Sequence, residues 1–282
     1  MLSFVLCADD FAMSAGVSEA ILRLLRQGRL SATGAMTNRA DWPRSAKSLS
    51  ELAGVADLGV HLNLTCGSPL GAMPRLAPSG RLPDLGRVLR GAIAGRLPLA
   101  EIAEEFRRQI DAFAREIGRE PDFLDGHLHV HAFPRIREAL LSAIGSLGLG
   151  PRLYVRDPAD RAGAIASRGL GAGKALFIAG LARGFARALA RNDIRTNSGF
   201  AGIVPFDPRR DYAQDFARFL RAPGKRHLVM CHPGVVDEEL IAADPVGATR
   251  PKEYEFLAGD AFPALLERLG ARIVRFEGMD PR

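Results

Sequence analysis

Two adjacent aspartates, Asp9 and Asp10, close an apolar run that starts near Ser3. Five of the six histidines fall in three short segments downstream: GVHLNLT with His61, DGHLHVH with His127, His129 and His131, and MCHPG with His232. Carboxylates and imidazoles are the side chains that hold divalent ions and move protons near neutral pH. Taken singly, each segment has an ordinary structural use as a helix cap, a turn or a hydrogen-bonded core histidine. Their recurrence at the ends of several apolar runs points instead to one metal site assembled from distant parts of the chain. The sixth histidine, His227, begins an apolar run and reads as structural.

Such a site needs elements that bring distant residues to one place. Short apolar runs rich in β-branched residues alternate with segments of helical period, the pattern of a parallel sheet with helices packed outside it. Strands are expected at Ser3–Ala8, Ala32–Thr37, Gly59–Leu64, through FLDGHLHVH, and at Arg152–Arg156, His227–Cys231 and Arg272–Phe276. Ser14 can cap a helix with Val17, Ile21, Leu24 and Leu25 on one face. The clearest helix runs from Pro98 to Ile117, where Leu99, Ile102, Phe106, Ile110, Phe113 and Ile117 recur at three- and four-residue steps. Further helices are expected after Pro134 and over Tyr212–Leu220 and Ala261–Leu269. Gly67–Pro83 is too long and too rich in Pro and Gly to be a mere connector, and such loops often border a site.

Seven or eight βα units with no break in composition predict a single domain, residues 1–282: an irregular, TIM-barrel-like (β/α) barrel with an insertion near 157–193. In that fold the C-terminal strand ends share one mouth, which is where the aspartates and five histidines fall. Read as a strand, DGHLHVH spaces alternate residues about 6.6 Å apart, too far for one ion to take His127, His129 and His131 together when metal–nitrogen bonds are about 2 Å. A ligand set of one Asp and two His from different strands leaves coordination positions open, which suits catalysis. Two imidazoles favour zinc, and a partly hydrated carboxylate site admits magnesium.

Four ordered motifs, ADDFAMSAGVSEAI, GVHLNLTCGSPL, LDGHLHVHAFP and VMCHPG, resemble those of the YdjC-like carbohydrate deacetylases, a group that includes chitooligosaccharide and hopanoid-biosynthesis-associated deacetylases. The resemblance implies an irregular barrel, one divalent metal and hydrolysis of an N-acetyl group from an amino sugar. Carried over by motif, Asp10, His61 and His127 would hold the metal, Asp9 would be the general base and His232 the candidate acid. Homodimerisation is an expectation of the family alone. Ala12 stands where the family usually has glycine, and Leu128 replaces a histidine found in some members. Ile194–Ile203 looks like the longer members, so chitooligosaccharide specificity is not carried over.

Other residues of these segments have two readings each. Asp125 either orients a neighbouring ligand by accepting its second ring N–H or is a loop carboxylate in water. His129 and His131 either line the substrate groove or pack beneath the site. Asn63 and Thr65 either bond sugar hydroxyls or make strand-end turn bonds. Arg156 either reaches the mouth, anchoring Asp9 or a ligand carboxylate, or lies at the surface. Cys7 and Cys231 read as small buried hydrophobes.

Composition removes several classes. With 47% hydrophobic and 25% charged residues the chain is an ordinary globular one. A formal charge of +6 would suit nucleic acid, but arginine is spread along the chain, and no basic stripe carries interleaved aromatics. No apolar run is long enough to span a membrane, the N-terminus lacks a secretory pattern, and three scattered cysteines make no disulfide framework; a reduced, cytoplasmic setting is expected. A helix with Arg183, Arg187 and Arg191 opposite Phe177, Leu181 and Phe185 would suit contact with an anionic membrane surface; the alternative is a solvated face over core. Two further functions compete. His127 and His129 resemble the His-x-His of amidohydrolase-type barrels, although that pair usually lies on the first strand. A non-catalytic carbohydrate-binding protein could also use the same scaffold.

Overall fold

Strand β1 (Leu2–Phe11) is the axis of the sheet. It pairs in parallel with β2 (Ala32–Ala35) on one edge and β8 (His227–Cys231) on the other, and its first residues also pair with β9 (Ala271–Ile273). Beyond β2 lie β3 (Asp57–Leu62), β4 (Phe123–Gly126), β5 (Tyr154–Val155) and β6 (Arg195–Thr196), and beyond β8 lies β7 (Gly199–Ala201). The order β6-β5-β4-β3-β2-β1-β8-β7 is parallel throughout and curls into a half-barrel. The structure is a computed structural model and describes residues 1–205, 207–243 and 247–279.

β6 and β7 are consecutive in sequence yet lie at opposite ends of that path. Asn197, between them, laces the seam: its Oδ1 accepts from Asp157 N at 2.8 Å, and its Nδ2 donates to Asp157 O at 2.9 Å and Gly199 O at 3.1 Å.

The helices, in chain order, are α1 (Ala15–Arg26), α2 (Trp42–Ser50), α3 (Leu85–Ile93), α4 (Leu99–Ile117), α5 (Ile136–Ser146), α6 (Ala162–Arg168), α7 (Ala172–Leu181), α8 (Phe185–Ala190), α9 (Tyr212–Phe219), α10 (Glu238–Ala243), α11 (Arg250–Ala258) and α12 (Ala261–Arg268). Ser14 caps α1 by accepting from Val17 N, as its position suggested. The expected stripe of α4 is buried at Ile102, Phe106, Ile110 and Phe113.

Alternation sorts the strand residues between two apolar clusters. Phe4, Leu6 and Ala8 of β1 join the larger cluster under the helices, whereas Val5 and Cys7 join the smaller one with Phe123, Tyr154, Leu228, Met230 and Phe276. That smaller cluster fills the concave side. Tyr154 and Phe276 stack there with ring centroids 3.9 Å apart. The larger cluster is the main store of buried apolar surface.

Two expectations are corrected. FLDGHLHVH is not a strand throughout: β4 stops at Gly126, and His127–Ala132 forms a tight 3-10 turn with Leu128 and His129 at positive φ. The segment 157–193 carries three short helices rather than one basic amphipathic helix. Gly184, at φ 81°, separates α7 from α8. Phe185 is buried beneath Arg137, and Phe177 is exposed, so the apolar face does not form as one surface. No helix among the described residues is long and apolar enough to cross a membrane.

Candidate metal centre and catalytic site

The concave-side parity that places Val5 and Cys7 inward continues to Asp9. The same count carries Gly59 to His61, Phe123 to Asp125, Tyr154 to Arg156, and Leu228 and Met230 to His232. Because every strand is parallel, these five side chains form one polar layer above the apolar ones, at the C-terminal end of the sheet.

Asp10 has the wrong parity and is delivered by a different device. The β1–β2 register shifts between Ala8 and Phe11, and Asp10 sits at φ 68° and Ala12 at φ 70°. This bulge turns two consecutive aspartates toward the same site, which a regular strand cannot do. Position 12 is itself left-handed, a conformation that glycine adopts without strain.

Asp10 Oδ1 lies 2.9 Å from His127 Nδ1 and 3.3 Å from His61 Nε2. One ligand atom from each of the three residues falls within 4.8 Å of the others, a spacing that one ion can span. Two imidazole nitrogens and a carboxylate oxygen are a donor set suited to a divalent transition ion. Asp10 and His61 are buried, while the His127 side chain is 15% exposed, so the cluster opens on the His127 side.

His61 and Asp125 are register partners on β3 and β4, and His61 Nδ1 meets Asp125 Oδ1 at 2.6 Å. This leaves Nε2 facing Asp10, the arrangement of an orienting carboxylate behind a metal-binding histidine. Gly34 on β2 makes room for the pair, since a Cβ there would lie 3.0 Å from Asp125 Oδ1 and 3.1 Å from His61 Cβ. Burial alone would depress the His61 pKa, but Asp125, Asp9 and Asp10 outweigh it and carry the pKa to about 10.

Arg156 is fully buried. Its guanidinium donates to Asp9 Oδ1 at 2.6 Å and Asp9 Oδ2 at 2.8 Å, and lies 2.9 Å from Asp125 Oδ2. It therefore holds Asp9, in line with the anchoring use expected of it rather than a surface role. Cys7, Asp9 and Asp125 also cluster, but Arg156 already bridges the two carboxylates. Burial raises the Cys7 thiol well above its usual value, against a thiolate ligand there. His232 Nε2 stands 3.9 Å from Asp9 Oδ2, and its side chain is 16% exposed. Asp9 thus has Arg156 behind it and His232 beside it.

The packing places Asn63, Thr65, His129 and His131, the other candidate substrate contacts, as follows. Asn63 Oδ1 accepts from Thr65 N and Oγ1 and from Cys66 N, while its Nδ2 donates to Asn38 Oδ1 and Cys66 O. Its hydrogen-bonding capacity is filled by the turn after β3, and Thr65 is part of the same turn. His131 is fully buried beneath the site, with Nε2 on Arg156 O at 2.7 Å. His129 is buried edge-on against Phe200. Burial lowers both histidines, His131 to about 4, which keeps them neutral. His129 does not join His127 in a ligand group among the described residues, so the amidohydrolase-type pair is not formed.

Two contributors escaped the sequence. Arg250 Nη2 reaches Asp10 Oδ2 at 2.6 Å, and Glu253 Oε2 accepts the backbone N–H of His232 at 2.7 Å. Both are buried on α11, the first 240 residues away from its partner. An Arg and a Glu three apart on a helix read as an exposed ion pair, and no local signal marks them otherwise.

A profile of YdjC-like proteins matches residues 3–268. The chain belongs to the YdjC-like family. This YdjC-like protein is 32% identical over 270 residues to a chitooligosaccharide deacetylase of Klebsiella pneumoniae (strain 342), with 94% of each chain covered. It is 38% identical over 147 residues to a chitooligosaccharide deacetylase of Serratia marcescens, covering 52% of this chain and 57% of that one. A crystal structure from Enterococcus faecalis V583 superposes with a TM-score of 0.72 over 99% of both chains at 20% identity, which supports the fold.

Proposed function

We propose that this YdjC-like protein is a divalent-metal-dependent hydrolase that removes the N-acetyl group from an acetylated amino sugar, free as an oligosaccharide or carried on a lipid. The observation that carries this reading is the meeting of Asp10, His61 and His127 within 4.8 Å, with Asp9 and His232 beside them. The deacetylase names of the relatives that share nearly the whole chain supply the reaction class. A carbohydrate-binding protein without turnover would need neither a buried ligand cluster nor an anchored carboxylate next to it.

An amide resists neutral water and expels its amine only when the nitrogen is protonated. A bound divalent ion supplies a lowered water pKa and a polarised carbonyl. Asp9 takes the proton of the attacking water, and Arg156 fixes both of its oxygens in place while that happens. His232, on the more exposed side, gives a proton to the leaving nitrogen, and the products are acetate and a free amine. His61 and His127 would hold the ion through the ring nitrogens that face Asp10 Oδ1.

The test is acetate release from N-acetylated glycans and glycolipids by protein stripped of metal and then reloaded with zinc or magnesium. Asp9→Asn is expected to lower kcat by about 10²–10⁴ and to retain the metal. His61→Ala loses both. A metal-loaded wild type that releases no acetate from a broad panel refutes the assignment.

A further inference from the structure

We propose that Arg250 is a positioning residue that holds Asp10 Oδ2, so that Asp10 can offer a metal ion Oδ1 alone and the position a chelating carboxylate would fill stays open to substrate. The inference rests on the reading that Asp10, His61 and His127 hold one divalent ion. The two oxygens of Asp10 have separate environments: Oδ1 faces the two imidazole nitrogens at 2.9 and 3.3 Å, and Oδ2 faces the guanidinium at 2.6 Å.

A guanidinium so close to a metal-binding carboxylate is a poor device for raising affinity, because it shares the carboxylate with the ion and repels it. What it supplies is geometry. Carboxylates bind ions through one oxygen or through both, and a chelating carboxylate takes one more of the positions that a three-residue site leaves for water and substrate. Arginine stays charged at every working pH, so the clamp does not release by titration.

The mounting of Arg250 is rigid. It opens α11, its carbonyl accepts from Gly234 N at 3.3 Å, and its side chain is buried against Met13 as well as Asp10. One turn on, Glu253 holds the backbone of His232. A single helix thus holds both the ligand carboxylate and the backbone that carries His232.

The experiment uses the full chain as wild type, Arg250→Met and Arg250→Lys, each stripped and reloaded with Co²⁺. Three readouts are taken: crystal structures of the loaded proteins, Co²⁺ affinity by chelator competition, and acetate release. In wild type, one Asp10 oxygen is expected at about 2.2 Å from the ion. In Arg250→Met both oxygens should coordinate, with Co²⁺ bound as tightly or more tightly, while kcat falls about 10²-fold as the substrate position closes. Arg250→Lys, which still charges Oδ2, should restore single-oxygen binding and at least part of kcat. Chelation by Asp10 in the wild type overturns the proposal, and that readout stands even if Arg250→Met does not fold. So does an Arg250→Met protein that keeps single-oxygen binding, keeps full turnover, or binds Co²⁺ more than tenfold more weakly. A wild type that binds Co²⁺ but releases no acetate defeats the deacetylase reading instead, and the coordination readout still decides the clamp.

Discussion

At the residue scale, the site is a set of charges held in place by other charges. His61 carries the clearest consequence. Its folded pKa, about 10, lies above the usual 6.5, so the metal-free protein keeps the ring protonated at neutral pH. On the proposed function, a metal ion held by His61 would need the neutral ring and would displace that proton, so affinity should rise with pH up to about 10. A plot of log Kd against pH from 7 to 9 is expected to fall by about one unit per pH unit, and Asp125→Asn should flatten it by removing the strongest charge that holds the proton. A wild-type Kd constant across that window contradicts a protonated His61 in the metal-free protein. Ala12 tests a different cost. Its φ of 70° strains any residue with a Cβ, by on the order of 1 kcal/mol. Ala12→Gly should therefore raise the melting temperature by a few degrees and leave metal affinity unchanged, and a lower melting temperature would show that the turn is not strained.

At the element scale, helix α4 holds the long loop 67–83 against the end of β3. Glu105 is fully buried and accepts from Leu70 N at 2.9 Å and Gly71 N at 3.3 Å, and Glu101 accepts from Arg75 N and Leu76 N. Gln109, one turn further on, donates to Glu105 and to Asn63 O, and accepts from Asn63 N. These carboxylates satisfy backbone N–H groups that the loop's own irregular path leaves open. Glu105→Ala should cost about 2 kcal/mol and speed hydrogen exchange at 68–72 well before the sheet amides, read by mass spectrometry; unchanged loop protection would mean the strap carries nothing. The apolar stripe of α4 was readable because it repeats at helical period. The strap was not, because Glu101, Glu105 and Gln109 recur every four residues on a polar face, which looks the same in sequence whether it meets solvent or a loop.

At the scale of the whole molecule, the sequence showed the parallel alternation and the convergence of its strand ends, since both follow from period and order. Asp9, His61 and His232 were legible as neighbours for that reason, whereas Asp125 had two open readings that its pairing with His61 settles. The bulge at Asp10, the turn at His127–Ala132 and the reach of α11 were not, because positive φ at non-glycine residues and contacts across 240 residues leave no periodic trace. Two buried histidines outside the Asp10–His61–His127 group set an acid limit on the fold. His131 and His227 are both held neutral by burial, each with a folded pKa of about 4 against 6.5 in the unfolded chain. Above pH 6.5 neither state binds the proton and stability is unaffected. Between 6.5 and 4 the unfolded chain takes up protons that the folded one refuses, so stability falls as pH falls, by on the order of 1 kcal/mol per pH unit for each group. His227 sits at the start of β8 with Nε2 on Phe219 O at 2.9 Å, remote in parity and position from the strand-end site, so it separates this effect from metal loss. In chelator-treated protein the melting temperature should drop steadily from pH 6.5 to 4, and His227→Gln should reduce the slope without touching metal affinity at pH 8. An NMR titration of the His227 ring that moves near pH 6.5 in the folded protein would remove its share of the effect, leaving the acid limit to His131 and the carboxylates.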